Sequence, residues 1–313
     1  MKYSVIIPVY NRPDELAELL ASIAAQKFSD FEVLVVEDGS SIKCEDIVNQ
    51  YAGKLDIKYL YKENGGPAMA RNFAAQRAEG EYLLILDSDT VLPEGYFEAI
   101  ESFVCANHPD AFGGPDRGGE DFTPVQKAIS YSMTSFFTTG GIRGGKRKIT
   151  RFFPRSFNMG VRREVFAQLG GFSAMRFGED VDFSMKVVEA GFSTALIPDA
   201  WLYHKRRTDF RKFFRQVRNS GKARIALTRR HPGSLRLVHL FPPAFVVLSL
   251  ILPFDVLYSL LVLADSSIKN KSPRVGLLSV AAAYVQLWGY GIGFVAGLFE
   301  IEQANIDNDK FYR

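Results

Sequence analysis

The chain is 313 residues long, 47% hydrophobic and 23% charged, with a formal net charge of +3. That length supports one large core or two smaller ones, and the composition is too apolar and too balanced for a disordered chain. Cys44 and Cys105 show no paired-ligand or redox spacing, which implies free thiols in a reducing compartment.

The apolar run after Lys2 is too short for a secretory signal, and Pro8 and the charges after Asn11 interrupt it. Residues 3–9 are a β-branched run and read as a first strand. Pro8-Val9-Tyr10-Asn11 breaks it, and a helix starts at Asn11 or Arg12 with Pro13 in its first turn. Leu16, Leu19, Leu20 and Ile23 share one face of that helix. A second strand over 31–36 ends in Glu37-Asp38-Gly39-Ser40, a short helix covers 44–51, and a third strand covers 57–61. Gly65-Gly66-Pro67 opens a helix of mostly small residues reaching residue 78. The fourth strand, 82–86, has no polar alternation and reads as buried on both faces. Strands alternating with helices in this way predict a right-handed parallel α/β sheet.

The fourth strand stops at Asp87-Ser88-Asp89. On an extended chain residues i and i+2 point the same way, so Asp87 and Asp89 could converge on a small hard cation, Mg²⁺ or Mn²⁺. A solvated turn closing the strand is the plainer reading of the triplet alone. Its company changes the balance. Pro8/Tyr10/Asn11, Glu37/Asp38 and Asp87/Asp89 all follow strand ends, where open parallel sheets bind ligands.

Residues 110–155 are Gly-rich, with Gly113-Gly114-Pro115-Asp116 and Gly140 to Lys148, and read as a surface loop before a phosphate grip. A helix is expected over 158–169, closed by Gly170-Gly171. Arg176-Phe177-Gly178-Glu179-Asp180-Val181-Asp182 then opens a helix running to 190. Its acids suit a helix start, which leaves open whether Asp180 also serves chemistry. His204, after a strand at 194–197, stands among Lys205, Arg206 and Arg207. It is either structural, a third metal ligand or a phosphate contact.

From Phe210 the pattern turns amphipathic, with Phe210, Phe213, Phe214 and Val217 opposite Arg211, Lys212, Arg215 and Arg218. That suits an anionic membrane surface. No groove-reading or base-stacking module accompanies the charge, so nucleic acid is not expected as a partner. Residues 241–264 and 275–299 each approach the ~20 residues that span a bilayer. Pro242, Pro243, Pro253 and Asp255 compromise the first, since a mid-bilayer Asp costs roughly 2.5–3.5 kcal/mol. A broken or re-entrant hairpin therefore competes with two spans.

With these residues in hand, the chain resembles family 2 of the inverting nucleotide-sugar glycosyltransferases, which have the GT-A fold. The resemblance rests on Val5-Ile6-Ile7-Pro8-Val9-Tyr10-Asn11-Arg12, Val36-Glu37-Asp38-Gly39-Ser40, Gly65-Gly66-Pro67-Ala68-Met69-Ala70-Arg71-Asn72, Asp87-Ser88-Asp89 and Gly178-Glu179-Asp180. They occur in the family's order over the first two thirds of the chain. Trp288-Gly289-Tyr290-Gly291-Ile292-Gly293-Phe294 looks like the tail of bacterial polysaccharide-assembly members.

The resemblance implies roles. The loop of Pro8, Tyr10 and Asn11 would hold the nucleotide base, Asp38 would accept its imide proton, and Arg12, Glu37 and Gly65 would join them in binding the nucleotide-sugar. Arg71 would lie near base or phosphates. Asp87, Ser88 and Asp89 would contact ribose and metal, with His204 completing the metal site, and Asp180 would be the general base. It implies a catalytic region at 1–205, a basic interface segment at 206–236, and a membrane hairpin with a short polar tail at 237–313. It also implies a lipid-linked or saccharide acceptor, a place on the cytoplasmic face of the bacterial inner membrane, and leaves a homo-oligomer open. Two departures stand out. The acid pair of the second strand is Glu37-Asp38, and Gln216-Val217-Arg218-Asn219-Ser220 keeps only the Gln of the processive members' motif. A nucleotide-sugar-binding scaffold without turnover is the competing class, disfavoured by the presence of Asp180. A Rossmann dehydrogenase lacks its G-x-G-x-x-G after the first strand.

Overall fold

The computed structural model of the chain describes residues 1–119, 122–140 and 152–300. They form two compact units. Of the described residues, one unit holds Met1–Arg117 and 152–204, and the other holds 118–140 and 205–300. Gly141 to Lys148, in the Gly-rich stretch, and the polar tail from 301 lie outside the described residues.

The first unit is built on β1 (Tyr3–Val9), β2 (Phe31–Asp38), β3 (Ile57–Lys62) and β4 (Tyr82–Leu86), linked by α1 (Pro13–Ala24), α2 (Glu45–Asn49) and α3 (Pro67–Ala75). These strands pair in parallel in the order β3-β2-β1-β4, so strand order reverses between β1 and β4. β5 (Thr90–Val91), α4 (Tyr96–Asn107), β6 (Ala111–Gly113) and β7 (Asp116–Arg117) follow. The chain then leaves for α5 (Pro124–Thr134) and α6 (Phe136–Thr139), which belong to the second unit. It returns with β8 (Asn158–Arg162), α7 (Arg163–Gln168), α8 (Glu179–Glu189), β9 (Thr194–Leu196) and β10 (Leu202–His204).

The main sheet reads β3-β2-β1-β4-β8-β6-β9, and a smaller sheet reads β5-β10-β7. It is mainly parallel, as the GT-A resemblance implies, with β8 running antiparallel to both β4 and β6. This corrects the helix expected over 158–169. Met159 and Val161 face one core, a two-residue repeat that suits a strand, and the helix begins only at Arg163. β2 likewise runs past Val36 to Asp38, which keeps Glu37 and Asp38 in the sheet instead of in the turn. The strict alternation of β1 divides the core. Tyr3, Val5, Ile7 and Val9 pack with α1, α2 and α4, whereas Ile6 joins the side of α3, α7 and α8.

The second unit adds α9 (Phe210–Arg230), α10 (Phe241–Leu248), α11 (Leu252–Asn270) and α12 (Pro273–Phe299) to α5 and α6. α12 packs against α5, α9, α10 and α11. The apolar stretch expected at 241–264 is broken between α10 and α11. Among the described residues α12 is the one helix long and apolar enough to cross a membrane. The apolar face of α9 is not turned to lipid, as amphipathicity suggested. Phe213 and Val217 are buried with Ile129 of α5, and Gly221 is pressed against α12.

Candidate active site

The carboxyl ends of β1, β2 and β4 meet at one edge because the strands are in register, with Val9 opposite Glu37 and Ile6 opposite Ile85. One ligand atom each from Asp87, Asp89 and His204 lies within 4.8 Å of the others. The small sheet brings the histidine there, since β10 pairs His204 with Thr90, one residue beyond Asp89. His204 Nε2 stands 3.3 Å from Asp89 Oδ1, and its Nδ1 is 3.9 Å from Asp116 Oδ2 on β7. Arg12 Nη1 donates to Asp89 Oδ2 at 2.5 Å. Burial alone would raise the Asp89 carboxyl. The hydrogen bond and charge of His204, with Arg12, more than reverse this and hold it well below the usual carboxylate range. Two carboxylates and an imidazole at this spacing fit a divalent cation.

Arg71 joins this cluster to the next. Its guanidinium is buried, donating from Nη2 to Asp87 Oδ1 at 2.7 Å and from Nη1 to Glu179 Oε1 at 2.8 Å. Glu179 opens α8, and Asp180 follows it. Asp180 Oδ2 accepts Arg155 Nε at 2.6 Å and the Ser156 amide at 3.4 Å, while Oδ1 accepts the Val181 amide at 2.8 Å. Burial again opposes the charge on Asp180, but Arg155 and then Arg71 lower its pKa below the ordinary value. Glu179 moves the other way, raised by burial and then by the neighbouring Asp180 charge against the pull of Arg71.

The nucleotide-side residues cluster too. Asp38 is wholly buried, its Oδ1 accepting Lys62 Nζ at 2.6 Å and the Gly65 amide at 3.0 Å, its Oδ2 the Gly66 amide at 2.8 Å. Gly66 has φ +86°, a conformation glycine takes without strain. Glu37 accepts the Ser40 hydroxyl and, at 2.7 Å, the Cys44 amide. Asn11 holds the same turn, donating its amide to Ser40 Oγ at 2.8 Å and accepting the Ile42 amide at 2.9 Å. Pro8 is buried opposite Val36, Tyr10 is half-buried, and Ser88 is buried between the two aspartates.

Sequence reasoning did not single out Glu179, Arg155, Asp116 or Lys62. Glu179 was legible as the neighbour of Asp180 in an acid pair, and Asp116 as the polar end of Gly113-Gly114-Pro115. Nothing around Arg155 carried a pattern, and Lys62 fell just past the expected end of the third strand.

A mainly parallel sheet flanked by helices, with acids gathered at its carboxyl edge, is the GT-A arrangement. The chain belongs to glycosyl transferase family 2, which it matches over residues 4–170, more than half its length. Poly(ribitol-phosphate) beta-N-acetylglucosaminyltransferase TarS of Staphylococcus aureus is 40% identical over 114 residues, 35% of this chain and 20% of that one. Minor teichoic acid biosynthesis protein GgaB of Bacillus subtilis is 40% identical over 213 residues, 66% of this chain and 23% of that one. The chain therefore spans about a fifth of the length of these relatives. The crystal structure of TarS 1-349 superposes with a TM-score of 0.53 at 26% identity, covering 77% of this chain and 69% of that one. The same fragment in complex with UDP-GlcNAc gives 0.54 at 24% identity, covering 95% and 91%. Mannosyltransferase PcManGT from Pyrobaculum calidifontis, in complex with GDP-Man and Mn²⁺, gives 0.64 at 20% identity, covering 95% and 87%. In those last two the likeness is one of fold.

Proposed function

We propose that the chain is a metal-dependent inverting glycosyltransferase. It moves a sugar from a nucleotide-sugar, a UDP-sugar in this reading, to a hydroxyl of a lipid-linked or saccharide acceptor in surface-polysaccharide assembly. The observation that carries this is the gathering of Asp87, Asp89 and His204 at the sheet edge, tied through Arg71 and Glu179 to the helix bearing Asp180. The complexes of TarS with UDP-GlcNAc and of PcManGT with Mn²⁺ support the donor and the cation. The names of TarS and GgaB concern poly(ribitol-phosphate) and teichoic acid. By analogy we assign this chain to the cytoplasmic face of the bacterial inner membrane, with catalysis in residues 1–205.

Asp87, Asp89 and His204 would hold Mg²⁺ or Mn²⁺. The cation would neutralise charge on the departing nucleoside diphosphate. Asp180, kept ionised by Arg155, accepts the acceptor's hydroxyl proton on a carboxylate oxygen as that hydroxyl attacks the anomeric carbon. The bond to the diphosphate breaks in the same displacement, which inverts the anomeric centre. Arg12 fixes the orientation of Asp89, and Arg71 that of Asp87. Pro8, Tyr10 and Asn11 lie beside the turn that would border the base. Asp38 holds the Gly65-Gly66 turn, so its expected contact with the base requires Lys62 to give way.

The test is a panel of nucleotide-sugars given to the purified chain and scored by release of nucleoside diphosphate. Chelation should abolish release, and Mn²⁺ or Mg²⁺ should restore it. Full turnover in chelator would overturn the metal assignment, and donor binding with no turnover on any acceptor would favour the scaffold.

A further inference from the structure

We propose that the second unit docks on one leaflet of an anionic lipid bilayer through the outer faces of α10 and α11, and that none of its described helices crosses. Length and composition alone would make α12 a span. Its packing argues otherwise. The C-terminal half of α12 is strapped to α9 backbone to backbone. A Cβ on Gly293 would lie 2.0 Å from the Arg218 carbonyl oxygen, and one on Gly221 would lie 2.2 Å from that of Tyr290. Lys222 pairs with Glu300, and the Arg229 guanidinium donates to the carbonyls of Leu298 and Glu300 at 3.0 and 2.7 Å. α9 carries eight Lys and Arg residues within Phe210–Arg230. Were α12 to cross, it would draw these cations into hydrocarbon, from which charged side chains are excluded. Left outside the bilayer, the exposed cations Arg211, Lys212, Arg215 and Arg218 instead draw the unit toward an anionic surface.

The outer face of α11 shows what enters the acyl region. Val256, Leu257, Leu260, Leu261 and Ile268 are all exposed, and their spacing puts them on one side of the helix. Val247 and Leu248 of α10, and Leu250 before α11, are exposed as well. No charged residue interrupts that stripe. Asp255 turns inward to accept the Tyr284 hydroxyl. Asp265 takes up both Tyr131 and Lys269, at 2.6 and 2.8 Å, on another side. Exposed apolar residues grouped on one helix side, rather than scattered singly, mark an interaction surface. A second copy could cover it, but it would bring its own α9 cations; an anionic leaflet answers both features.

Two measurements on the full chain test this independently of sugar transfer. Flotation with vesicles of phosphatidylethanolamine and phosphatidylglycerol should recover the wild type, and Leu257→Glu/Leu261→Glu should lower recovery at least roughly tenfold, each charged side chain being strongly disfavoured in hydrocarbon. Both positions are exposed, so circular dichroism should be unchanged. A doubly substituted chain that floats as before, or a wild type whose stripe is covered in a detergent-free dimer that ignores vesicles, overturns the proposal. The second measurement places a cysteine at either end of α12, Lys271→Cys before it and Phe299→Cys at its last residue, each in a background lacking Cys44 and Cys105. Protection of both from an impermeant thiol reagent in intact cells, with labelling once the membrane is opened, is expected. Labelling of either in intact cells would mean a span.

Discussion

Arg71→Met removes the cation that joins the two halves of the site. The Arg71 side chain is 4% exposed and ion-paired at 2.7 and 2.8 Å. Removing one partner of a buried pair costs roughly 3–5 kcal/mol, because the other charge stays buried. Asp87 retains 30% side-chain exposure and can recover water, whereas Glu179 retains 11%. The expected loss is therefore near the lower end, about 3 kcal/mol, and comes mainly from Glu179. The pH dependence gives the signature. Burial, and then Asp180, already hold Glu179 above the ordinary carboxylate value against the pull of Arg71. A carboxyl raised in the fold favours the native state below its unfolded pKa and loses that contribution as pH rises through the folded one. Without Arg71 the rise grows. The deficit of the variant is thus full at neutral pH and shrinks on acidification, as Glu179 takes up a proton. Urea unfolding at neutral and mildly acidic pH, followed by circular dichroism, reads it. Adding Glu179→Gln should return most of the loss, since the uncompensated charge is then gone. A deficit under about 1 kcal/mol, one that ignores pH, or one that Glu179→Gln fails to relieve would refute the reasoning.

Three further substitutions probe other parts of the molecule. Asp180→Asn is nearly isosteric and should lower kcat roughly 10²–10⁴-fold with donor KM unchanged, measured by nucleoside diphosphate release. Because Arg155 lowers the pKa of Asp180, the acid limb of the wild-type kcat profile should lie below the ordinary carboxylate range, and Arg155→Met should move it upward. Gly293→Leu should destabilise the helical unit by about 1–3 kcal/mol, seen in thermal unfolding, since even a Cβ there meets the Arg218 carbonyl.

The sheet was legible wherever one strand's own pattern settled its burial. The unbroken run of β4 and the β-branched run of β1 mark strands covered on both faces, and the structure has them so. The antiparallel β8 was not legible, because Asn158 to Leu169 contains apolar residues at both two- and four-residue spacings. Only β4 and β6 on either side decide between them. The candidate site divides the same way. Asp87 and Asp89 lie two apart on one strand end and could be paired on paper, whereas the approach of His204 depends on β5 pairing with β10 across more than a hundred residues.

Charge pairing was the least legible layer. Arg71 carries a family position that suggests a contact with base or phosphates, yet its two terminal nitrogens are taken up by Asp87 and Glu179, 16 and 108 residues away along the chain. A guanidinium so held serves the site by fixing where two acids stand. The α9 helix teaches the same lesson at larger scale. Its amphipathic pattern states that one face must be covered, and no periodicity can say by what. Glycines at 289, 293 and 297 on α12, each close to α9, supply that answer, since only a side-chain-free face lets two helix backbones come so near. An apolar helix face therefore predicts burial, and the partner's small residues decide whether protein or lipid provides it.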